Sequence, residues 1–228
     1  MEYLHNGFSL EICQRAFPLS TDSIVLSGFV RLPKQAKVLD LGAGCGTLGL
    51  LLCAKDSVCS VTGIEVDENA HSTALANAQR NQISSRLTSI CGDLRTVPSM
   101  FAAGSFDCCV SNPPYFSAGQ ESANSKARHE QLCTLDELFA AAQWAVRFGG
   151  DFFVVHKPER LSELCACATN HKLEPKRLML LRHKTSDPVS LILLQCRKGA
   201  KPGLVIEESY LQEQDGTPSD YYRKLYHI

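Results

Sequence analysis

No stretch of the chain approaches the roughly eighteen consecutive apolar residues that a membrane-crossing helix needs. The first twenty residues carry Glu2, His5, Glu11 and Arg15 and no apolar core of signal-peptide length. Both absences point to a protein with no membrane partner that works in the cytoplasm. Net charge is also nearly missing: 23 Lys and Arg stand against 24 Asp and Glu, a formal −1, so the chain as a whole advertises neither an acidic nor a basic partner. Eleven cysteines are present, yet no C-x-x-C pair exists, and Cys165-x-Cys167 has no companion pair at zinc-finger spacing. That argues against a structural metal. Most of the thiols (Cys53, Cys59, Cys91, Cys108, Cys109, Cys165, Cys196) sit in apolar runs, where cysteine behaves as a small hydrophobe, and a reducing compartment follows. Internal repeats and low-complexity segments are likewise lacking.

What is present is an ordinary globular composition, 44% hydrophobic and 21% charged over 228 residues, which suits one α/β domain with small additions. The stretch from Lys37 to Leu50, KVLDLGAGCGTLGL, organises the rest. A short apolar run rises to Asp40, breaks into Gly42, Gly44, Gly46 and Gly49, and continues as an apolar helical pattern from Leu48. A buried strand turning sharply into a helix needs bare backbone there, both for its dihedral angles and to let a ligand approach amides at the helix N-terminus. Cys45, inside the loop, reads as a small filler rather than a nucleophile. The spacing Gly44-x-Gly46-x-x-Gly49 also satisfies the dinucleotide fingerprint, with Glu65 about 20 residues on. The glycines alone therefore leave the cofactor open.

Further along, Ser60 to Asp67 reads as a second buried strand ending at Glu65, where a carboxylate meets ribose hydroxyls. A helix from Glu68 to Asn81 follows, then a strand from Leu87 to Cys91 ending at Asp93. Asp93 is placed either to meet an adenine amine or simply to cap a helix. Phe106 to Ser111 is the next strand and runs into Asn112-Pro113-Pro114-Tyr115. Two prolines stiffen that turn and hold the asparagine extended, so its amide is aimed. Residues 116 to 134 form a long polar loop containing Phe116, Arg128 and His129, a pattern that suits a lid or a binding segment. A helix from Leu135 to Arg147, closed by Gly149-Gly150, precedes a strand at Phe152 to His156. After a further helix, Lys176 to Leu181 and Val189 to Cys196 read as an antiparallel pair at the sheet edge. Upstream, Ser20 or Thr21 caps a helix over Ile24 to Phe29, with Thr21 and Asp22 at the edge of the cleft.

Asp40 before the glycines and Asn112-Pro113-Pro114-Tyr115 at a later strand end together resemble the first and fourth motifs of class I methyltransferases that modify a planar amine or amide nitrogen. The fuller set F-P-L-S-T-D-S-I-V-L-S-G-F, D-L-G-A-G-C-G-T-L-G, S-N-P-P-Y-F, A-R-H-E and H-K-P-E-R-L is similar to the bacterial family that methylates N6 of adenine 37 in the anticodon loop of valine tRNA. The resemblance implies an α/β, Rossmann-like, seven-stranded and mostly parallel sheet with an antiparallel edge hairpin. It implies one domain over 1–228, with an N-terminal extension (1–36) over the cofactor cleft, a core (37–198) and a tail (199–228). The implied cofactor is S-adenosylmethionine, held by Thr21, Asp22, Asp40, Gly42, Gly44, Gly46, Glu65, Asp93 and Asn112. Asn112, Pro113, Pro114 and Tyr115 are the implied catalytic set: the Asn112 side-chain oxygen and the Pro113 carbonyl accept hydrogen bonds from the target amine, and Tyr115 with Phe116 stacks on the base. The implied partner is tRNA, bound by a monomer or weak homodimer without metal.

Residues 147 to 201 hold eleven Lys or Arg against five Asp or Glu. Arg182 and Lys184, with Lys172, Lys176, Arg177, Arg197, Lys198 and Lys201, are expected to share a face beside the cleft and contact RNA, together with Arg128 and His129. Two other readings stand beside this one. A protein glutamine methyltransferase acting on a release factor uses the same Asn-Pro-Pro-Tyr geometry but carries a longer helical N-terminal domain, whereas 36 residues precede Lys37 here. A scaffold that binds cofactor or RNA without catalysis is opposed by the intact Asp40, Glu65, Asp93 and Asn112.

Overall fold

The computed structural model describes residues 1–4, 7–13, 19–57, 59–114 and 133–226. In chain order these give β1 (Glu2–Tyr3), β2 (Ser9–Leu10), α1 (Thr21–Phe29), β3 (Lys37–Leu41), α2 (Thr47–Lys55), β4 (Ser60–Glu65), α3 (Glu68–Arg80), β5 (Leu87–Cys91) and α4 (Val97–Met100). They continue with β6 (Phe106–Ser111), α5 (Leu135–Ala145), β7 (Val146–His156), α6 (Leu161–Asn170), β8 (Leu173–Lys184), β9 (Val189–Lys198), β10 (Val205–Gln212) and α7 (Asp220–Tyr226). The main sheet has the order β10-β8-β9-β7-β6-β3-β4-β5. Only β9 runs against the others, antiparallel to both β7 and β8.

The strands are apolar on both faces because both faces are covered. Along β6 and β7 successive side chains alternate between two cores. Cys108, Val110, Phe153 and Val155 meet α1, α2, α3 and the β1–β2 ribbon. Cys109, Phe152 and Val154 meet α4, α5 and α6. Phe139 of α5 packs edge-on against Phe152 with ring centroids 5.1 Å apart, and Phe29 of α1 does the same to Phe153 at 6.1 Å. Each such fully buried side chain stabilises the fold by roughly 1.5–3 kcal/mol. The starts of α3 and α5 are capped by side chains: Asp67 accepts from Ala70 N at 2.9 Å, and Thr134 with Glu137 forms a reciprocal capping box on α5.

The mostly parallel sheet with its antiparallel hairpin is the expected architecture, with two differences. First, there are eight strands rather than seven. The tail continues beyond the expected Leu204 to Ile206 segment, and β10 pairs in parallel with β8 from Val205↔Arg177 to Gln212↔Lys184, so the hairpin lies one strand in from the edge. Second, Gly149 and Gly150 do not close α5. The helix stops at Ala145 and the chain enters β7 directly, because Val146 pairs with Phe106. The glycines instead absorb a shift of register, since Phe106↔Val146 is followed by Cys108↔Asp151. A Cβ on Gly150 would lie 2.5 Å from the Asp107 carbonyl oxygen, which only a glycine avoids.

Connections run from β3 outward to β4 and β5 on one side, and β6 and β7 lie on the other. The reversal of direction opens a crevice between the carboxyl ends of β3 and β6, the place where open α/β sheets receive ligands.

Candidate active site

A cavity of about 710 Å³ occupies that crevice, lined by Asp40, Gly42, Gly44, Glu65, Asp93, Asn112, Pro113 and Pro114, and by Asp22 from α1. This volume suits a nucleoside-sized ligand. Two residues expected at the cofactor are not in the wall. Thr21 turns toward Tyr226 of α7, and Gly46 lies behind the loop as the N-cap of α2. Residues that the sequence reading passed over are in the wall: Cys13, Ser20, Ser23 and Asp67. The T-D-S run was the available signal for Ser23.

Glu65 stands at the centre of the loop's hydrogen bonding. Its Oε2 accepts from Gly44 N at 2.8 Å and its Oε1 from Asp67 N at 2.9 Å, so the tip of β4 fastens the glycine loop to the start of α3. Gly44 and Gly46 have φ of +56° and +80°, a left-handed conformation that costs any Cβ-bearing residue roughly 1–2 kcal/mol.

Asp40 is the electrostatic anomaly. Its residue is 1% exposed, and neither carboxylate oxygen has a hydrogen-bond partner. Burial, and then the nearby charge of Glu65, raise its pKa from 3.8 to about 7; the Gly49 backbone N–H, directed at the carboxyl without closing a well-formed hydrogen bond, pulls the other way and is outweighed. A buried carboxyl without a partner in the wall of a cavity fits a cationic ligand, because a positive charge there would supply the missing compensation. The sulfonium and ammonium of S-adenosylmethionine meet that requirement, and a dinucleotide pyrophosphate does not.

Asn112 is held from the opposite wall: its Nδ2 donates to Ser23 Oγ at 2.9 Å, across 89 residues of sequence. Ser111 Oγ donates to Leu41 O at 2.8 Å, locking the tip of β6 to the tip of β3. Asp93 accepts from Arg95 N at 2.9 Å as an N-cap, and its ion pair with the Arg95 guanidinium lowers its pKa. It therefore caps a helical turn and also lines the cavity. His156, buried at the end of β7, has its pKa lowered to about 4, chiefly by burial and then by Arg160, so it is neutral at working pH.

The methyltransferase small domain matches residues 21–164, which spans α1 to α6 and every wall of the cavity except Cys13 and Ser20. This chain belongs to the methyltransferase small domain family. The methyltransferase is 26% identical over 220 residues to a Bacteroides fragilis protein named tRNA1(Val) (adenine(37)-N6)-methyltransferase, covering 92% of each chain. It is 30% identical over 176 residues to a Shewanella halifaxensis protein of the same name, covering 76% of this chain and 71% of that one. Among solved structures it resembles a predicted O-methyltransferase from Agrobacterium tumefaciens, with a TM-score of 0.76 at 18% identity over 91% of this chain and 96% of that one. It also resembles geranyl diphosphate C-methyltransferase from Streptomyces coelicolor in complex with S-adenosyl-L-homocysteine, with a TM-score of 0.59 at 11% identity over 77% and 79%. At those identities the structural likeness speaks to the fold alone.

The expected basic face is not formed. Leu173 pairs with Lys198 and Arg182 with Val189, so β8 carries Lys176 and Arg177 toward one end and Arg182 and Lys184 toward the other, about 17–26 Å apart at ~3.3 Å per residue. Lys172, Lys176, Arg197, Lys198 and Lys201 lie at the end away from the cavity. Arg177 is engaged by Glu207 at 3.1 Å and stacks 4.3 Å over Phe29. Arg182 and Lys184 stand at the cavity end of the sheet but three strands from β6 and outside the cavity wall. Arg182 donates to Asp187 O at 2.6 Å, and Lys184 to Gln214 O at 3.3 Å. Tyr115, Phe116, Arg128 and His129 lie outside the described residues. Among the described residues no helix is long and apolar enough to cross a membrane.

Proposed function

We propose that this methyltransferase uses S-adenosylmethionine to methylate the N6 amine of an adenine in RNA, adenine 37 of a tRNA anticodon loop, in the cytoplasm. The carrying observation is the Asn112-Pro113-Pro114 turn at the tip of β6, its amide fastened to Ser23, in the wall of the cavity that holds the unpartnered Asp40. The names of the relatives support the RNA and the position.

When bound, S-adenosylmethionine supplies a methyl group on an electron-poor sulfonium. Asp40 would compensate its cationic methionine end, Glu65 would accept the ribose hydroxyls, and Asp93 the adenine amine. Residues 1–36 cover the cleft in this reading, supported by the hydrogen bonds from Ser9 and Glu11 to α3 and by Cys13, Ser20, Asp22 and Ser23 in the wall.

The target amine is a poor nucleophile because its lone pair is delocalised into the ring. The bond from Nδ2 to Ser23 fixes the plane of the Asn112 amide and with it the direction of Oδ1. That oxygen and the Pro113 carbonyl accept the two N6–H bonds and favour the tetrahedral nitrogen. Tyr115 and Phe116 stack on the base, with Arg128 and His129 beside it. Fixed dipoles and positioning do the work without a shifted base. Mass spectrometry of nucleosides from total tRNA, with and without the protein, should show a gain of N6-methyladenosine. Methyl label in a release factor, with none in tRNA, overturns the reading.

A further inference from the structure

Two thiols share the wall of the cofactor cavity. Cys45 Sγ lies 3.7 Å from Cys13 Sγ, and Cys13 N donates to Cys45 Sγ at 3.4 Å. Cys45 belongs to the glycine loop, Cys13 to the N-terminal segment, and both line the cavity. One buried side chain fixes both backbones. Asn77 of α3 donates through Nδ2 to Cys45 O at 3.0 Å and to Glu11 O at 2.8 Å, while its Oδ1 accepts from Glu11 N at 2.9 Å. Asn77 therefore anchors to one helix both the Cys45 backbone and the chain two residues before Cys13. Other thiols differ. Cys53 and Cys59 also interact but are buried in the core, away from the cavity, and Cys91 is exposed.

We propose that Cys13 and Cys45 form a paired thiol-modification site, which low-molecular-weight disulfides convert to a disulfide that draws the N-terminal segment and the glycine loop together and weakens cofactor binding. Half-buried Cys13 meets the oxidant first. Its sulfur attacks the disulfide R–S–S–R, forming Cys13–S–S–R and releasing RSH with the thiol proton. Cys45 sulfur then attacks Cys13, closing Cys13–S–S–Cys45 and releasing the second RSH. The oxidant is reduced to two thiols and the protein loses two hydrogens. Burial pushes the Cys45 thiol up to about 11, which slows the second step, but a partner already in contact offsets this through effective concentration. A disulfide needs the sulfurs about 2.05 Å apart. Closing the gap from 3.7 Å draws the N-terminal segment and the glycine loop together, and a shift of the loop from the position in which Gly44 N meets Glu65 is the route by which the bond lowers cofactor affinity. In a reducing cytoplasm the bond is transient and reports oxidant exposure.

The proposal rests on the S-adenosylmethionine reading, so the reduced full-length chain is titrated with S-adenosylmethionine first, by calorimetry. It is then treated with glutathione disulfide, digested for peptide mass mapping, and titrated again. The expected result is a Cys13–Cys45 linked peptide and affinity lower by on the order of tenfold, typical of a coupling between sites. Dithiothreitol should restore the affinity, and prior saturation with cofactor should slow the linkage. In Cys13→Ser, affinity, whatever its reduced value, should not respond to the oxidant. If the reduced chain does not bind S-adenosylmethionine, the cofactor reading fails and takes the proposal with it. If it binds, but no linked peptide forms while Cys91 is already modified, or the peptide forms and affinity is unchanged, only the proposal fails.

Discussion

Asp40 and Asp107 sit on adjacent parallel strands at opposite ends of the sheet, and their carboxyls are shifted in opposite directions. Asp107, at the end away from the cavity, accepts from Lys37 N at 2.9 Å and from Arg147 Nε at 2.7 Å, and these contacts lower its pKa. Asp40, about three residues further along β3, is buried without a partner and raised to about 7. The same contrast runs across the whole sheet. At the far end Arg197 holds Asp151 through two bonds of 2.8 and 2.9 Å, and Lys198 Nζ donates to Gln143 O at 2.5 Å and Val146 O at 2.9 Å. At the cavity end the loop is built on left-handed glycines and a carboxyl left without compensation. At the far end the carboxyls are paired and stabilise the fold; at the cavity end Glu65 and Asp93 are paired as well, and Asp40 alone of the three is left for a ligand.

The largest expected effect follows from removing that asymmetry. Asp40 is protonated in the cofactor-free folded state up to about pH 7 and ionised in the unfolded chain above 3.8. Its contribution to stability therefore falls as pH rises between those values, by on the order of 4 kcal/mol at 1.36 kcal/mol per unit. Chemical denaturation across pH 4 to 8 should show this loss in the wild type and not in Asp40→Asn. The same ionisation makes cofactor affinity rise with pH, up to about tenfold per unit below pH 7 and level above it, if a cation binds at Asp40. Calorimetry in buffers of different ionisation enthalpy should register proton release on binding; pH-independent affinity would remove Asp40 from the site.

Next in size is Asn112→Ala, which deletes the aimed acceptor and should cost about 2–4 kcal/mol in kcat, by analogy with losing one oxyanion-hole donor. Ser23→Ala leaves the amide in place and removes its hydrogen bond to Ser23 Oγ. Its kcat should fall by less than in Asn112→Ala, with recovery in Ser23→Thr. Turnover near wild type in Asn112→Ala ends the proposed role.

The places of Asp40, Gly42, Gly44, Glu65, Asp93 and the Asn-Pro-Pro turn in the cavity wall were legible because each sits at the end of an apolar strand, so sequence position fixes place in the sheet. Ser23 was less so. Its contact with Asn112 spans 89 residues, and a serine in the first turn of a helix looks like any capping residue. The basic face failed for the opposite reason. A count of cations over a 55-residue window carries no information on direction, and two long antiparallel strands place the charges at both ends. The eighth strand was only half visible, since Glu207 and Glu208 interrupt its apolar pattern. In the structure Glu207 is matched by Arg177 across the strand pair, a tertiary compensation that no local pattern shows.

At the satisfied end, Asp107→Asn should destabilise the protein by about 1–2 kcal/mol at pH 7, since it weakens charge-assisted bonds to Lys37 N and Arg147. Because the folded pKa of Asp107 is depressed, the wild-type advantage is present above the unfolded value and lost as pH falls through the folded one. Denaturation curves for the two proteins should therefore converge in acid. Methyl-transfer kcat should not change; a fall comparable to that of Asn112→Ala would mean the two ends are not separable.

The smallest effect tests which end meets RNA. Each phosphate contact steepens the log–log dependence of RNA affinity on salt by roughly 0.7–0.9. Lys157 is exposed immediately after the carboxyl end of β7, the strand beside β6, and Lys176 lies toward the far end, where its Nζ donates to Lys201 O at 3.0 Å. Lys157→Glu should therefore flatten the slope for tRNA by about one contact and weaken binding, while leaving S-adenosylmethionine affinity intact. Lys176→Glu should leave the slope alone. Equal flattening by both would place RNA along both ends of the sheet and abolish the distinction between them. A slope near zero in the wild type would instead remove the polyanion from the substrate and favour a protein amide as the methyl acceptor.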